Sequence, residues 1–149
     1  MRVNFSHIGS RPRRGDAFDE LVGEYVSRCA AYAECAAQAF SSEQAFLEWL
    51  ERQEGRTPAI PVLFDSRGKQ LASESFAAWL GAQRDAGGQH MVFAIGPASG
   101  WSDAARSRAR LLVSLGAWTL PHALARVVVA EQVYRAFTIL SGHPYHTGH

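Results

Sequence analysis

The sequence predicts a single α/β domain built on a parallel sheet, and three observations lead there. Short apolar runs alternate five times with segments of helical spacing along the 149 residues. The runs at 60–64, 91–95 and 111–113 are apolar without a break, the pattern of strands buried on both faces. No internal repeat or flexible linker divides the chain, and its length suits one core.

Taken in order, Val3, Phe5 and Ile8 open a first strand, which Gly9-Ser10 and an Arg-Pro-Arg-Arg-Gly loop end. Asp16 or Asp19 caps a helix whose apolar residues Phe18, Leu21, Val22, Tyr25 and Val26 recur at helical spacing. Residues 32–40 are open to two readings: their alanines favour helix, and their place between two helices favours a short strand. Ser41-x-x-Gln44 has the form of a capping box before the helix carrying Phe46, Leu47, Trp49 and Leu50. Gly55 and Pro58 break that helix, and Pro61 falls at the start of the next strand. A turn is expected at 65–69, then a helix capped by Ser73 and ended by Gly87-Gly88. Ser102 caps a short arginine-rich helix, and Pro121 stands in the first turn of the last one.

Composition narrows the function classes. Hydrophobic residues at 47% and charged residues at 19% describe a globular chain. No apolar run approaches a bilayer span, and the first residues lack the apolar segment of a signal peptide, so a cytoplasmic protein is expected. Cys29 and Cys35 form no metal or redox motif and are expected to be reduced thiols. Net charge is +1, so there is no global basic field. The basic residues are nearly all arginine, with Lys69 the only lysine, and Arg11, Arg13 and Arg14 cluster near the start. Arginine suits bidentate phosphate contact, yet a high arginine share more often reflects genome composition. Charge thus permits an RNA partner without indicating one.

In a parallel sheet, ligands bind beyond the carboxyl ends of the strands. Three loops fall there, at 64–68, 96–100 and 115–120, and two are rich in glycine and small residues. None has the spacing of a dinucleotide or phosphate loop. A nucleoside-like ligand held by main-chain groups therefore fits better than one with a pyrophosphate. The last helix is apolar nearly all round, with Leu124, Val127 and Val128 on one side and Val129, Val133, Phe137 and Leu140 on another. Such a helix needs cover on two faces, either by its own domain or by a second copy in a two-fold dimer. Glu131 and Arg135, four apart, read either as a plain intrahelical ion pair or as part of a site.

Several motifs then act together: Phe64-Asp65-x-x-Gly68-Lys69, Ile95-Gly96, Ser114-Leu115-x-x-x-Thr119-Leu120-Pro121-His122, Arg126, Glu131-Gln132-x-Tyr134-Arg135-Ala136 and His143-Pro144-Tyr145-His146. In this order they resemble the RlmH family of ribosomal RNA large-subunit methyltransferases, over essentially the whole chain and most specifically after Val62. The resemblance implies a SPOUT-type fold with a C-terminal trefoil knot, S-adenosyl-L-methionine as methyl donor and a homodimer. It implies a pseudouridine of 23S rRNA as substrate, methylated at N3 within the assembled ribosome. The family's cofactor contacts carry over to Phe64, Gly96, Leu115, Gly116, Ala117, Trp118, Thr119 and Leu120. Trp118 is expected either to cover the adenine or to fill core.

Removal of the N3 proton needs a base near neutrality, for which His146 and His122 are the candidates. Arg135 is expected to steady charge on the uracil ring or to hold a phosphate, and Tyr145 to stack or to donate a hydrogen bond. His122 also reads as a packing or capping histidine. The spacing of His143, His146 and His149 allows a metal site in principle, but no Cys or carboxylate stands beside them and none is expected.

Relatives usually carry a second glycine and an acidic residue where this chain has Pro97 and Ser99. Pro97 removes a main-chain donor. That departure defines a competing reading, a non-catalytic ribosome-binding dimer; a third is a SPOUT methyltransferase acting on another RNA.

Overall fold

The computed structural model describes residues 1–148. Five strands, β1 (Arg2–Ile8), β2 (Glu34–Phe40), β3 (Ile60–Gln70), β4 (His90–Ile95) and β5 (Leu111–Ser114), alternate with five helices. The helices are α1 (Ala17–Cys29), α2 (Glu43–Glu54), α3 (Ser73–Asp85), α4 (Asp103–Arg108) and α5 (His122–Ser141). All strand pairs are parallel, in the order β2-β1-β4-β3-β5. The expected α/β class and parallel sheet are therefore observed.

Alternation along the strands sorts the core into two layers. Val3 and Phe5 of β1, Val62 and Phe64 of β3, and Met91, Phe93 and Ile95 of β4 face α1, α3 and α5. Ile8, Leu63, Val92 and Ala94 face the other way, with Phe46 and Leu50 of α2 and Ala105 of α4. Period-two strands with both faces covered explain why these runs show no polar break in sequence.

Residues 34–40 resolve as β2, an edge strand whose small residues are largely exposed; sheet pairing with β1 overrides the helix preference of alanine. Asp16, rather than Asp19, caps α1, accepting from the Phe18 and Asp19 N–H groups. The cap of α2 is Ser42, which accepts from the Ala45 N–H, one residue beyond the expected box; Gln44 instead bonds Glu48. Ser73 does not cap α3. Ala72 is the boundary residue, and the Ser73 hydroxyl donates across to Gln132 of α5 at 2.7 Å. Pro121 likewise stands just before α5, extended at ψ 144°, and the helix begins at His122.

The expected turn at 65–69 is a departure of another kind. β3 does not end at Phe64 but shifts register, so that Phe64 and Lys69 both stand opposite Val113. Gly68 passes so close to β5 that a Cβ there would lie 2.5 Å from the Val113 carbonyl carbon. Only glycine permits this approach between two backbones.

Candidate active site

The sheet order brings the three loops together. β4, β3 and β5 are neighbours, so the chain leaving each one passes the same spot. There the segments after Phe64, Ile95 and Ser114 enclose a cavity of about 590 Å³. All eight expected cofactor positions line it: Phe64, Gly96, Leu115, Gly116, Ala117, Trp118, Thr119 and Leu120. The volume lies within the range of small-molecule sites.

Trp101, which the sequence reading did not single out, builds the floor. It is 3% exposed, and its indole N–H donates to the Phe64 carbonyl at 3.1 Å, tying the β4 exit to β3. Its ring also explains Gly96, where a Cβ would lie 2.8 Å from the indole carbons. The available signal was a lone tryptophan directly after a glycine turn, a pattern with no helical or strand period to mark it as core. Arg106 of α4 braces the same wall: it donates to the Trp101 carbonyl and pairs with Asp65 at 3.5 Å. On the opposite wall, the Ser114 hydroxyl accepts from the Gly116 N–H at 3.2 Å, and Gly116 takes a φ of +118°. Trp118 is 87% exposed at the rim, which removes the core-filling role from the two considered for it.

His122 also lines the cavity, at the start of α5. Its Nε2 lies 3.0 Å from the Gly96 carbonyl oxygen, an acceptor, so Nε2 carries the proton. A neutral ring then keeps the Nδ1 lone pair available. Behind it stands His7, its ring 5.9 Å from that of His122. Burial first of all, then the charge of Arg126, pushes His7 below the ordinary histidine range, against the raising effect of its bond to Ser10.

The other three catalytic candidates are not in this cavity. Arg135 follows His122 by thirteen residues, about 20 Å along a helix. There Arg135 makes two bonds to Glu131, at 2.9 and 3.1 Å, so the ion pair expected as the plain alternative does form. Its remaining terminal nitrogen donates to His146 Nδ1 at 3.0 Å, and His146 Nε2 meets Glu74 of α3 at 2.6 Å. A ring that accepts at Nδ1 and donates at Nε2 is the neutral tautomer. Tyr145 lies beneath the Arg135 guanidinium, 4.9 Å from ring centre to carbon, and edge-on to Tyr134. Burial, reinforced by the Glu131 carboxylate, pushes its phenol up to about 12, so it is a hydrogen-bond donor at neutral pH. His149 lies outside the described residues. Among the described residues no three His, Cys, Asp or Glu side chains gather as a metal site.

A family model described as predicted SPOUT methyltransferase matches residues 1–146. The ribosomal RNA large subunit methyltransferase H of Koribacter versatilis is 48% identical over 149 residues, all of both chains. The chain belongs to the RlmH family of SPOUT methyltransferases. An RlmH relative from Xanthobacter autotrophicus is 54% identical over 85 residues, 57% of this chain and 53% of that protein.

Solved structures agree in fold. The SpoU methyltransferase AviRb of Streptomyces viridochromogenes, crystallised with AdoMet, superposes with a TM-score of 0.50 at 17% identity, over 95% of this chain and 61% of that one. A probable methyltransferase from Bordetella pertussis gives 0.54 at 17% identity, over 90% and 95%. At these identities the likeness concerns the SPOUT-like fold. No helix among the described residues is long and apolar enough to cross a membrane.

Proposed function

We propose that this protein methylates N3 of a pseudouridine in 23S rRNA of the assembled ribosome, as a homodimer using S-adenosyl-L-methionine. Membership in the RlmH family supports the reaction class. The observation that carries the homodimer is a separation: the cavity and the His146–Arg135 cluster stand at opposite ends of one helix. A second copy, laid along α5, brings one copy's tail to the other's cavity. Phe18 and Leu21 of α1, 41% and 42% exposed, and Leu124 of α5 supply apolar surface for that contact. The C-terminal knot belongs to the same proposal, and the close passage of Gly68 along β5 is consistent with a threaded chain.

The cavity suits the cofactor. Its walls combine the small residues of three loops with the apolar side chains of Phe64, Leu115 and Leu120, Gly100 and Gly116 allow close approach, and the lining holds no lysine or arginine that would call for a pyrophosphate. S-adenosylmethionine supplies a methyl group activated by its sulfonium. The chain's own residues do the remainder. Leu115, Leu120 and Phe64 exclude water around the ligand, and the loop carbonyls and N–H groups orient it. The uracil N3 proton must leave; His122, at the cavity wall with its Nε2 committed to the Gly96 carbonyl, accepts it at Nδ1, and His146 of the second copy is the alternative base once its Nδ1 parts from Arg135. Arg135, fixed by Glu131 and lying over the Tyr145 ring, opposes the negative charge that develops on the uracil ring.

The test is methyl transfer to ribosomes from a strain lacking this gene, read as N3-methylpseudouridine by mass spectrometry. Its absence, with the cofactor bound, overturns the substrate assignment. A shared site is tested by mixing a tail-truncated chain with a Gly116-mutated one. Random dimers should restore about a quarter of sites, whereas no recovery rejects sharing. Pro97 and Ser99, both at the cavity, favour a second reading as a binder without catalysis. Calorimetric titration with S-adenosylmethionine decides against it if heat of binding appears.

A further inference from the structure

β1 pairs with β4 in register, His7 opposite Ile95, so the loop leaving β1 emerges beside the loop that leaves β4 for the cavity. The contact is direct: a Cβ on Gly9 would lie 3.7 Å from Cε1 of His122, which lines the cavity. Arg11 follows two residues later, at most about 7 Å of extended chain. Arg13 and Arg14 complete an exposed arginine trio on this loop.

The backbone of this loop is held while its guanidiniums are left over. His7 Nε2 bonds the Ser10 carbonyl at 2.8 Å, and the Arg13 N–H donates to Asp19 at 2.9 Å. Asp19 pairs with Arg126 of α5 at 2.7 Å, and both side chains are largely buried. Burial would raise the Asp19 carboxyl, but the Arg13 N–H and the Arg126 guanidinium outweigh it and hold it below the usual carboxylate range. Asp16 is committed to capping α1. Glu20 is the one acidic side chain of the first turn left without such a task. Among the described residues, no carboxylate lies within 4.0 Å of the Arg11, Arg13 or Arg14 guanidiniums, although most other arginines in the chain have one.

We infer that Arg11, Arg13 and Arg14 form a phosphate-binding clamp for the RNA strand whose base enters the neighbouring cavity. A pinned loop bearing free planar guanidiniums suits bidentate contact with backbone phosphates, because little ordering entropy is lost on binding. The near-neutral total charge is then no objection, since the cation is concentrated at the entrance where the strand arrives. This inference rests on RNA being the substrate and adds the surface that receives it.

The experiment compares the wild type with the triple variants Arg11→Gln/Arg13→Gln/Arg14→Gln and Arg11→Lys/Arg13→Lys/Arg14→Lys. Binding to purified ribosomes is measured across a salt series, alongside titration with S-adenosylmethionine. In the glutamine variant, ribosome affinity should fall about tenfold or more, and the slope of log affinity on log salt should flatten by about 2 to 3. Its cofactor titration should stay in place. The lysine variant should keep the salt slope and recover part of the affinity. Unchanged slope and affinity in the glutamine variant overturn the clamp, as does a wild type that binds no RNA. A wild type that leaves ribosomes unmethylated but binds other RNA through a slope these arginines set would remove the ribosomal substrate and keep the clamp.

Discussion

At its first residue α5 borders a cavity formed by three loops of the sheet, and thirteen residues later it carries a cluster made of charged and aromatic side chains. The two regions draw their order from different sources. Around the cavity, position follows from the sheet: neighbouring strands deliver their loops to one place, and Trp101 and Gly96 fit because neither leaves room for the other to move. The tail has no strand to place it. It is held by Arg135 between Glu131 and His146, by Glu74 across the gap, and by ring contacts of Tyr145. A cavity shaped by backbone tolerates little change of volume, whereas a tail held by polar contacts tolerates change in stability more readily than in chemistry.

The sharpest way to break this comparison is at Gly68. Gly68→Ala drives a methyl group into the β5 main chain, which has no rotamer by which to yield, and should destabilise the fold by about 3 kcal/mol or more. Thermal unfolding checks it, and a Tm near that of the wild type would mean the two strands can separate cheaply.

Next comes the tail. His146→Ala should lower methyl transfer by about a hundredfold or more while the S-adenosylmethionine titration stays unchanged. Equal loss of cofactor binding would show that the tail shapes the cavity rather than acting on the substrate.

Trp101→Phe keeps most of the floor but loses the bond to the Phe64 carbonyl, at a cost of about 1–2 kcal/mol. Here the cofactor affinity should fall with stability, the reverse of the tail variant. Denaturant unfolding and calorimetry read the two effects separately.

The smallest effect is a pH dependence. His90 is buried edge-on to Trp49, with its Nδ1 unpartnered, and burial holds it below its ordinary value of 6.5. His7 is lowered as well. The unfolded chain therefore takes up protons before the folded one does. Stability from this source is complete above about pH 6.5 and declines as pH falls towards the depressed folded values. His90→Phe should reduce the loss of Tm between about pH 7 and 5. An unaltered acid limb would place the loss elsewhere.

Much of the architecture is legible in the amino-acid sequence. Apolar runs at 60–64 and 91–95, a cap at Asp16 or Asp19 and the three small-residue loops follow from burial, hydrogen bonding and turn chemistry within a few residues. The errors fall where distant partners decide. Ser73 is drawn from capping to Gln132, fifty-nine residues away, and residues 65–70 extend as strand because β5 offers them a second register. Residues 34–40 become strand because β1 leaves an edge open to them.

The sequence by itself determined the elements other than β2 and the far end of β3, their parallel arrangement and the motifs of the RlmH family, since periodicity and turn chemistry act through neighbours along the chain. Only the tertiary structure decided that the three loops share one cavity, that Trp101 is its floor and that the loop leaving β1 starts beside His122. It also decided that His122 and His146 lie a helix-length apart. Those facts depend on strand order and on contacts between residues far apart in the chain, which local spacing does not encode.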